Sequence, residues 1–237
     1  MFRFKPQPRL ELALLHFFDT FQKTYVGEHR GMPPIGSSTS LISAAAPSEK
    51  QQMYLRFFER LGMGRHTTVI EMIITRLGLN LRDWANNDKV IGNTLTTFTN
   101  FVCGYSSGRM LLELDTVKYI IDNHTEQNFQ FLTSKSPKIS EHRAQFFRAL
   151  ARLIWLQDGV AKFEKFMSGH VRMLRQCAQA DFSNGQVQQA MISVCRDLLG
   201  VAKAAHNGLT YRMVFDCLHP TLFEAMEKAL ATAGHVR

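Results

Sequence analysis

The string Gly104-Tyr105-Ser106-Ser107-Gly108 matches G-x-S-x-G, the turn in which α/β hydrolases expose a nucleophilic serine because glycines on either side admit a strained elbow. A nucleophile at Ser106 requires a parallel sheet beneath it, an oxyanion loop upstream, and Asp and His partners downstream. The approach from Leu95 to Cys103 is rich in Thr, Phe and Val and admits a strand. No HGG-type loop precedes it, however, and no run of period-two alternation supplies a sheet. Ser106 is therefore expected at a helix end stopped by Gly and Ser, with a serine hydrolase kept as the lesser alternative. Nine histidines show no HExxH and no paired metal spacing, and the four cysteines form no CxxC, so neither a metal site, a cofactor nor a disulfide framework is expected. Gly62-Met63-Gly64 lacks the third glycine of a dinucleotide fingerprint and reads as a turn. Asn123-His124-Thr125 is formally a glycosylation acceptor, but its expected role is to end a helix begun near Asp115.

Charge is the more informative pattern. Lys and Arg number 28 against 20 Asp and Glu, a net +8, which favours acidic partners, whether an acidic protein face or nucleic acid. Arg148 and Arg152 lie one helical turn apart, opposite Phe146 and Phe147, and Lys162, Lys165, Arg172 and Arg175 fall on the polar side of the next stripe with Glu164 among them. If the two helices pair, these six residues form a candidate partner-binding surface; otherwise they are an ordinary solvated face. A basic helical nucleic-acid-binding module is the alternative, although no helix-turn-helix or zinc spacing accompanies it.

The elements that must carry these residues are helices. Apolar side chains recur at three and four residues in Leu10 to Tyr25, Tyr54 to Leu61, Ile70 to Trp84, Ile91 to Tyr105, Phe146 to Ile154, Phe163 to Leu174 and Val187 to Ala202. Two shorter helices are expected at 210–218 and 221–231, with Pro220 in the first turn of the second, where its missing N–H costs nothing. Short breaks such as Asn86-Asn87-Asp88 and Gln157-Asp158-Gly159 make successive helices antiparallel neighbours. The stretch 27–48, with three of the seven prolines and no stripe, reads as a long loop or exposed arm. About ten helices in pairs of about 40 to 47 residues give the arithmetic of HEAT or armadillo repeats, so residues 1–237 are expected to form one all-α, right-handed solenoid of about five antiparallel pairs. Leu12 to Phe18 near one end and Leu222, Phe223 and Met226 near the other leave apolar surface without an obvious cap, which predicts self-association or dependence on flanking repeats. Glu11, His16 and Asp19 interrupt the apolar start, which argues against a secretory signal, and no apolar run approaches the roughly 18 residues of a membrane span.

Several strings in this helical setting resemble the exportin-seven family of nuclear transport receptors, within the importin-β (karyopherin) superfamily. They are Leu79-Asn-Leu-Arg-Asp-Trp84, Gly104-Tyr105-Ser106-Ser107, Asn123-His124-Thr125, Phe129-Gln-Phe131-Leu132 and Arg196-Asp197-Leu198-Leu-Gly200, in an order that runs from about Leu10 to Glu227. The resemblance implies a central piece of a HEAT-repeat solenoid. It also implies a non-enzymatic scaffold for protein cargo and Ran in its GTP form, contact with nuclear pore proteins, and shuttling between cytoplasm and nucleus. It transfers no individual cargo or Ran contact onto this chain.

Overall fold

The computed structural model describes residues 7–23, 66–103, 110–158, 160–205 and 208–234. They contain eight α-helices: α1 (Pro8–Phe21), α2 (His66–Asp83), α3 (Asp88–Cys103), α4 (Asp115–Asp122), α5 (Ile139–Asp158), α6 (Val160–Gln179), α7 (Gly185–Ala204) and α8 (Gly208–Gly234). A 3₁₀ turn, Gln130–Thr133, lies before α5, and there is no strand among the described residues. The expected arm at 27–48, the Tyr54 to Leu61 stripe and the Gly104 to Gly108 string with Ser106 lie outside the described residues.

Local chemistry sets the helix ends. Pro8 occupies the first turn of α1, where no N–H partner is needed. The Asn87 side chain accepts the Val90 N–H at 3.1 Å to open α3, and Asn184 accepts the Gln186 N–H at 2.9 Å to open α7. Asn123 donates its amide to the Tyr119 carbonyl at 3.0 Å, and a ring nitrogen of His124 meets the Ile121 carbonyl at 2.6 Å. These bonds occupy the orphan carbonyls of α4, as expected of a helix end there.

Every substantial contact among the described helices joins neighbours one or two places apart in this order: α1 with α3, α2 with α3 and α4, α3 with α5, α5 with α6 and α7, α6 with α7 and α8. That one-dimensional order belongs to an all-α solenoid, in which each helix pair satisfies only its neighbours. The core follows the same path. Phe129, Phe131 and Phe146 are completely buried, with ring centroids 5.3 Å (Phe129 to Phe146) and 5.4 Å (Phe131 to Phe146) apart, so the 3₁₀ turn plugs the space over α5.

One expectation fails. The stretch assigned to two short helices around Pro220 is a single helix of 27 residues with Pro220 inside it. Pro220 cannot donate to the carbonyl one turn earlier, a local loss of backbone bonding. Met213, Val214 and Leu218 before it and Thr221 and Ala225 after it are nonetheless all buried, and α8 packs mainly on α6. Burial of one continuous face on both sides of the proline outweighs the missing bond.

Polar groups lock successive layers. Glu11, the residue that breaks the apolar start, is buried against α2, where Arg76 forms a two-pronged ion pair with it and the Asn80 amide donates at 2.6 Å. Burial pushes the Glu11 carboxyl up, but the bonds from Arg76 and Asn80 outweigh it and hold the group below the ordinary carboxylate range. Farther along, the Arg143 guanidinium on α5 donates twice to Asp197 on α7, at 2.7 Å each, and also to Glu126 and the Leu132 carbonyl at 2.7 Å. At the same interface Gly200 lies so close to α5 that a Cβ there would sit 2.2 Å from the Ala144 carbonyl oxygen.

Candidate partner-binding surface

The α5–α6 hairpin carries the basic residues. One residue separates the helices, and their rings pair in antiparallel order: Trp155 meets Phe163 at 5.8 Å, whereas Phe147 meets Phe166 at 6.3 Å and His170 at 5.2 Å. The sequence expectation that the two stripes form adjacent antiparallel helices therefore holds.

On α6 the inner face is Phe163, Phe166, Met167, Leu174, Cys177 and Ala178, all buried. At 100° per residue the opposite face carries Lys162, Lys165, Arg172 and Arg175, all exposed, together with exposed Glu164 and an exposed Met173. The outer side of α6 is thus a cationic surface with four basic groups and one carboxylate. Helix α5 is enclosed by α3, α6 and α7 and leaves only a narrow solvent-facing strip, on which Arg148 emerges. Arg152 differs from the other five. It is half-buried in the cleft that Trp155, Phe163, Val201 and Val214 line where α5 to α8 meet, and its Nη1 is buried without a hydrogen-bond partner. Of the six candidate residues, four share one helix face, Arg148 stands on the neighbouring helix, and Arg152 points into the packing.

Behind this surface lies an aromatic cluster with two histidines. His124 and His170 both contact Phe147 and Phe166, and Arg143 stands 5.9 Å above the Phe147 ring. Burial pushes the His170 imidazole down to about 4; its bond to the Phe166 carbonyl partly opposes this, and the nearby His124 and Arg143 add to the depression. A histidine neutral in the fold but protonated in the unfolded chain contributes stability above pH 6.5 that is lost as pH falls from 6.5 toward 4. His170→Leu is accordingly expected to flatten the pH dependence of unfolding in that window by up to about 1.4 kcal/mol per pH unit. Denaturant titrations of both proteins across the window check it, and parallel slopes would contradict the assignment.

The sequence reading missed the Arg143–Asp197–Glu126 cluster. Burial pushes the Asp197 carboxyl up to about 6 while the Arg143 bonds pull it back, so the pair is ionised at neutral pH. A signal was present: Arg143 stands in the spacing of Phe147, Leu150 and Ile154, and Asp197 in that of Val194, Leu198 and Val201, so each is a charge on an apolar stripe. Four strings carrying the family resemblance lie within the described residues, and all four supply packing or capping groups. They contribute Asn80 and Leu81; Asn123 and His124; Phe129, Phe131 and Leu132; and Asp197, Leu198 and Gly200. Among the described residues no group of three or more potential metal ligands converges, and no helix is long and apolar enough to cross a membrane.

Comparison with known proteins agrees with this geometry. The family model described as Exportin-7-like, TPR domain, matches residues 2–140. The chain is 30% identical over 230 residues to human Ran-binding protein 17, covering 94% of this chain and 20% of that protein. It is 27% identical over 236 residues to Exportin-7-B of Xenopus laevis (96% and 20%), and 26% identical over 225 residues to Exportin-7 of Dictyostelium discoideum (93% and 20%). The chain thus spans about a fifth of the length of these curated relatives. No solved structure matches. A helical solenoid tied by buried polar locks, carrying these strings and matching this family model over more than half its length, belongs to the exportin-7-like TPR domain family.

Proposed function

We propose that the chain is a protein-binding scaffold segment of a nuclear export receptor, engaging Ran in its GTP form and folded cargo as part of transport between nucleus and cytoplasm. The observation that carries this reading is the family match over a solenoid whose polar groups are spent on helix locks, while its cationic groups face outward on α6. The chain acts by binding and not by catalysis: the relatives are named as exportins and as a Ran-binding protein, which favours a scaffold over a hydrolase at Ser106 or a nucleic-acid module. A solenoid flexes by small shifts at each helix interface, so a ligand that fits one curvature stabilises it over the others, and affinity is thereby coupled to shape. Contact with nuclear pore proteins belongs to the same reading.

Within it, Lys162, Lys165, Arg172 and Arg175, with Arg148 beside them, steer an acidic partner face toward α6, whereas the half-buried Arg152 is a lesser contributor. Lys165→Glu/Arg172→Glu should slow association with GTP-loaded Ran about tenfold at low salt and flatten its salt dependence, with far-UV dichroism unchanged, because both side chains are exposed. An unchanged association rate at low salt would return these residues to ordinary solvated surface.

A further inference from the structure

Ser136-Pro137 is the one Ser-Pro step in the sequence, which has no Thr-Pro step, and lysines flank it at Lys135 and Lys138. It lies in the connection between the 3₁₀ turn and α5, where residues 134–138 belong to no helix. Thr133, Lys135, Pro137 and Lys138 are exposed there, and Ser136 is half-buried. The backbone of this connection is held by local bonds: Ser134 donates to the Phe131 carbonyl, Ser136 to the Ser134 hydroxyl and Lys138 to the Ser136 hydroxyl. A residue before proline is pushed into extended backbone, and proline itself brings no N–H that would need a partner in an enzyme groove. Those are the features by which proline-directed protein kinases select a serine.

The Ser136 hydroxyl also reaches out of its own segment. It donates to the Asp88 carboxylate, at the start of α3, at 2.6 Å. That bond crosses the joint between the two halves of the described fold, because α3 against α5 is the main contact joining α1–α4 to α5–α8. Asp88 has one ionisable neighbour on α5: Nδ1 of buried His142 stands 4.0 Å away. Burial pushes the His142 imidazole down against the opposing pull of Asp88 and Glu141, so at neutral pH it brings Asp88 no countercharge. The Ser136 hydroxyl is thus the group that ties Asp88 to the start of α5.

We propose that Ser136 is a phosphorylation site for a proline-directed kinase, and that its phosphorylation releases Asp88 and loosens the α3–α5 joint. Ser136 Oγ attacks the γ-phosphorus of a nucleoside triphosphate: the O–P bond forms, the β–γ anhydride bond breaks, the nucleoside diphosphate leaves and the hydroxyl proton passes to the kinase's base. The product has lost the proton that it gave to Asp88 and carries a second anion against that carboxylate. Lys135 and Lys138 and the first N–H groups of α5 keep the phosphate on its own helix. The cap of α5 therefore survives, and the bond to α3 does not. The site is independent of the Ran reading.

The 237-residue protein is incubated with ATP and, in separate reactions, a cyclin-dependent and a mitogen-activated protein kinase. Tandem mass spectrometry should place the phosphate on Ser136, and Ser136→Ala should abolish it. The phosphorylated protein should melt roughly 5 °C lower, with faster hydrogen exchange in the first turns of α3 and α5 and none of this change in α8. In Asp88→Asn, whose amide donates to the phosphate and does not repel it, phosphorylation should leave the melting temperature unchanged. No phosphate on Ser136 with either enzyme would overturn the site. An unchanged melt of the phosphorylated protein, or an equal fall in Asp88→Asn, would overturn the release of Asp88.

Discussion

Arg143→Ala should lower the melting temperature by roughly 10 °C. The Arg143 and Asp197 side chains are each only 6% exposed, and removing the guanidinium leaves the Asp197 carboxylate without its two donors at the α5–α7 interface. Breaking one side of such a pair costs about 3–5 kcal/mol, and a domain of this size shifts by roughly 2–4 °C per kcal/mol. The same cut also strips the Leu132 carbonyl of a donor and unties the 3₁₀ turn from α5. Replacing both partners, Arg143→Met with Asp197→Leu, should recover most of the loss, because no buried charge is then stranded. Thermal melts followed at 222 nm separate the cases. A double variant as unstable as the single one would show that the pair contributes net attraction and does not merely avoid a stranded charge.

Gly200→Ala and Gly169→Ala should move stability in opposite directions. At Gly200 the new methyl would stand 2.2 Å from the Ala144 carbonyl oxygen and 2.9 Å from its carbon, both part of a helix backbone that cannot swing away. The helices α5 and α7 would have to part, stretching the Arg143–Asp197 bonds on the same interface. A loss of roughly 3 kcal/mol or more is expected, at the severe end of overpacking. At Gly169, inside α6, nothing lies within 4 Å of the added methyl. Alanine there should stabilise by about 0.5–1 kcal/mol through helix propensity and lost unfolded-state freedom. Denaturant unfolding of the two variants side by side is the check; a neutral Gly200→Ala would mean that α5 and α7 do not approach as closely as described.

Most of the helices were legible because their apolar stripes run at three and four residues without interruption, as in Phe163 to Leu174, and a stripe of that kind reports a buried face directly. The antiparallel α5–α6 pairing was legible from the shortness of the break between them. What was not legible depends on partners distant in sequence. Pro220 reads as a helix start on local rules alone; only the buried residues on both sides of it show why one helix runs through. Glu11 reads as an interruption of an apolar segment, yet its meaning lies 65 residues away in Arg76. Arg152 reads as one of six surface cations, and only the approach of α7 and α8 turns it into a cleft. Of the basic surface, the α6 half follows from periodicity, because the face opposite a buried stripe is solvated. Along α8 the spacing of Tyr211, Phe215, Met226 and Leu230 reads as an apolar stripe, yet the fold leaves these four exposed and buries Met213, Val214, Leu218 and Ala225, because a stripe alone does not say which face is covered.

The most direct test of the scaffold reading is titration of the purified chain with Ran loaded with GTP and, separately, with GDP, at low and at physiological salt. The account predicts binding of the GTP form at least about tenfold tighter than the GDP form, weakening with salt as the cationic face of α6 is screened. Equal affinity for both nucleotide states, or no binding to either, would contradict it.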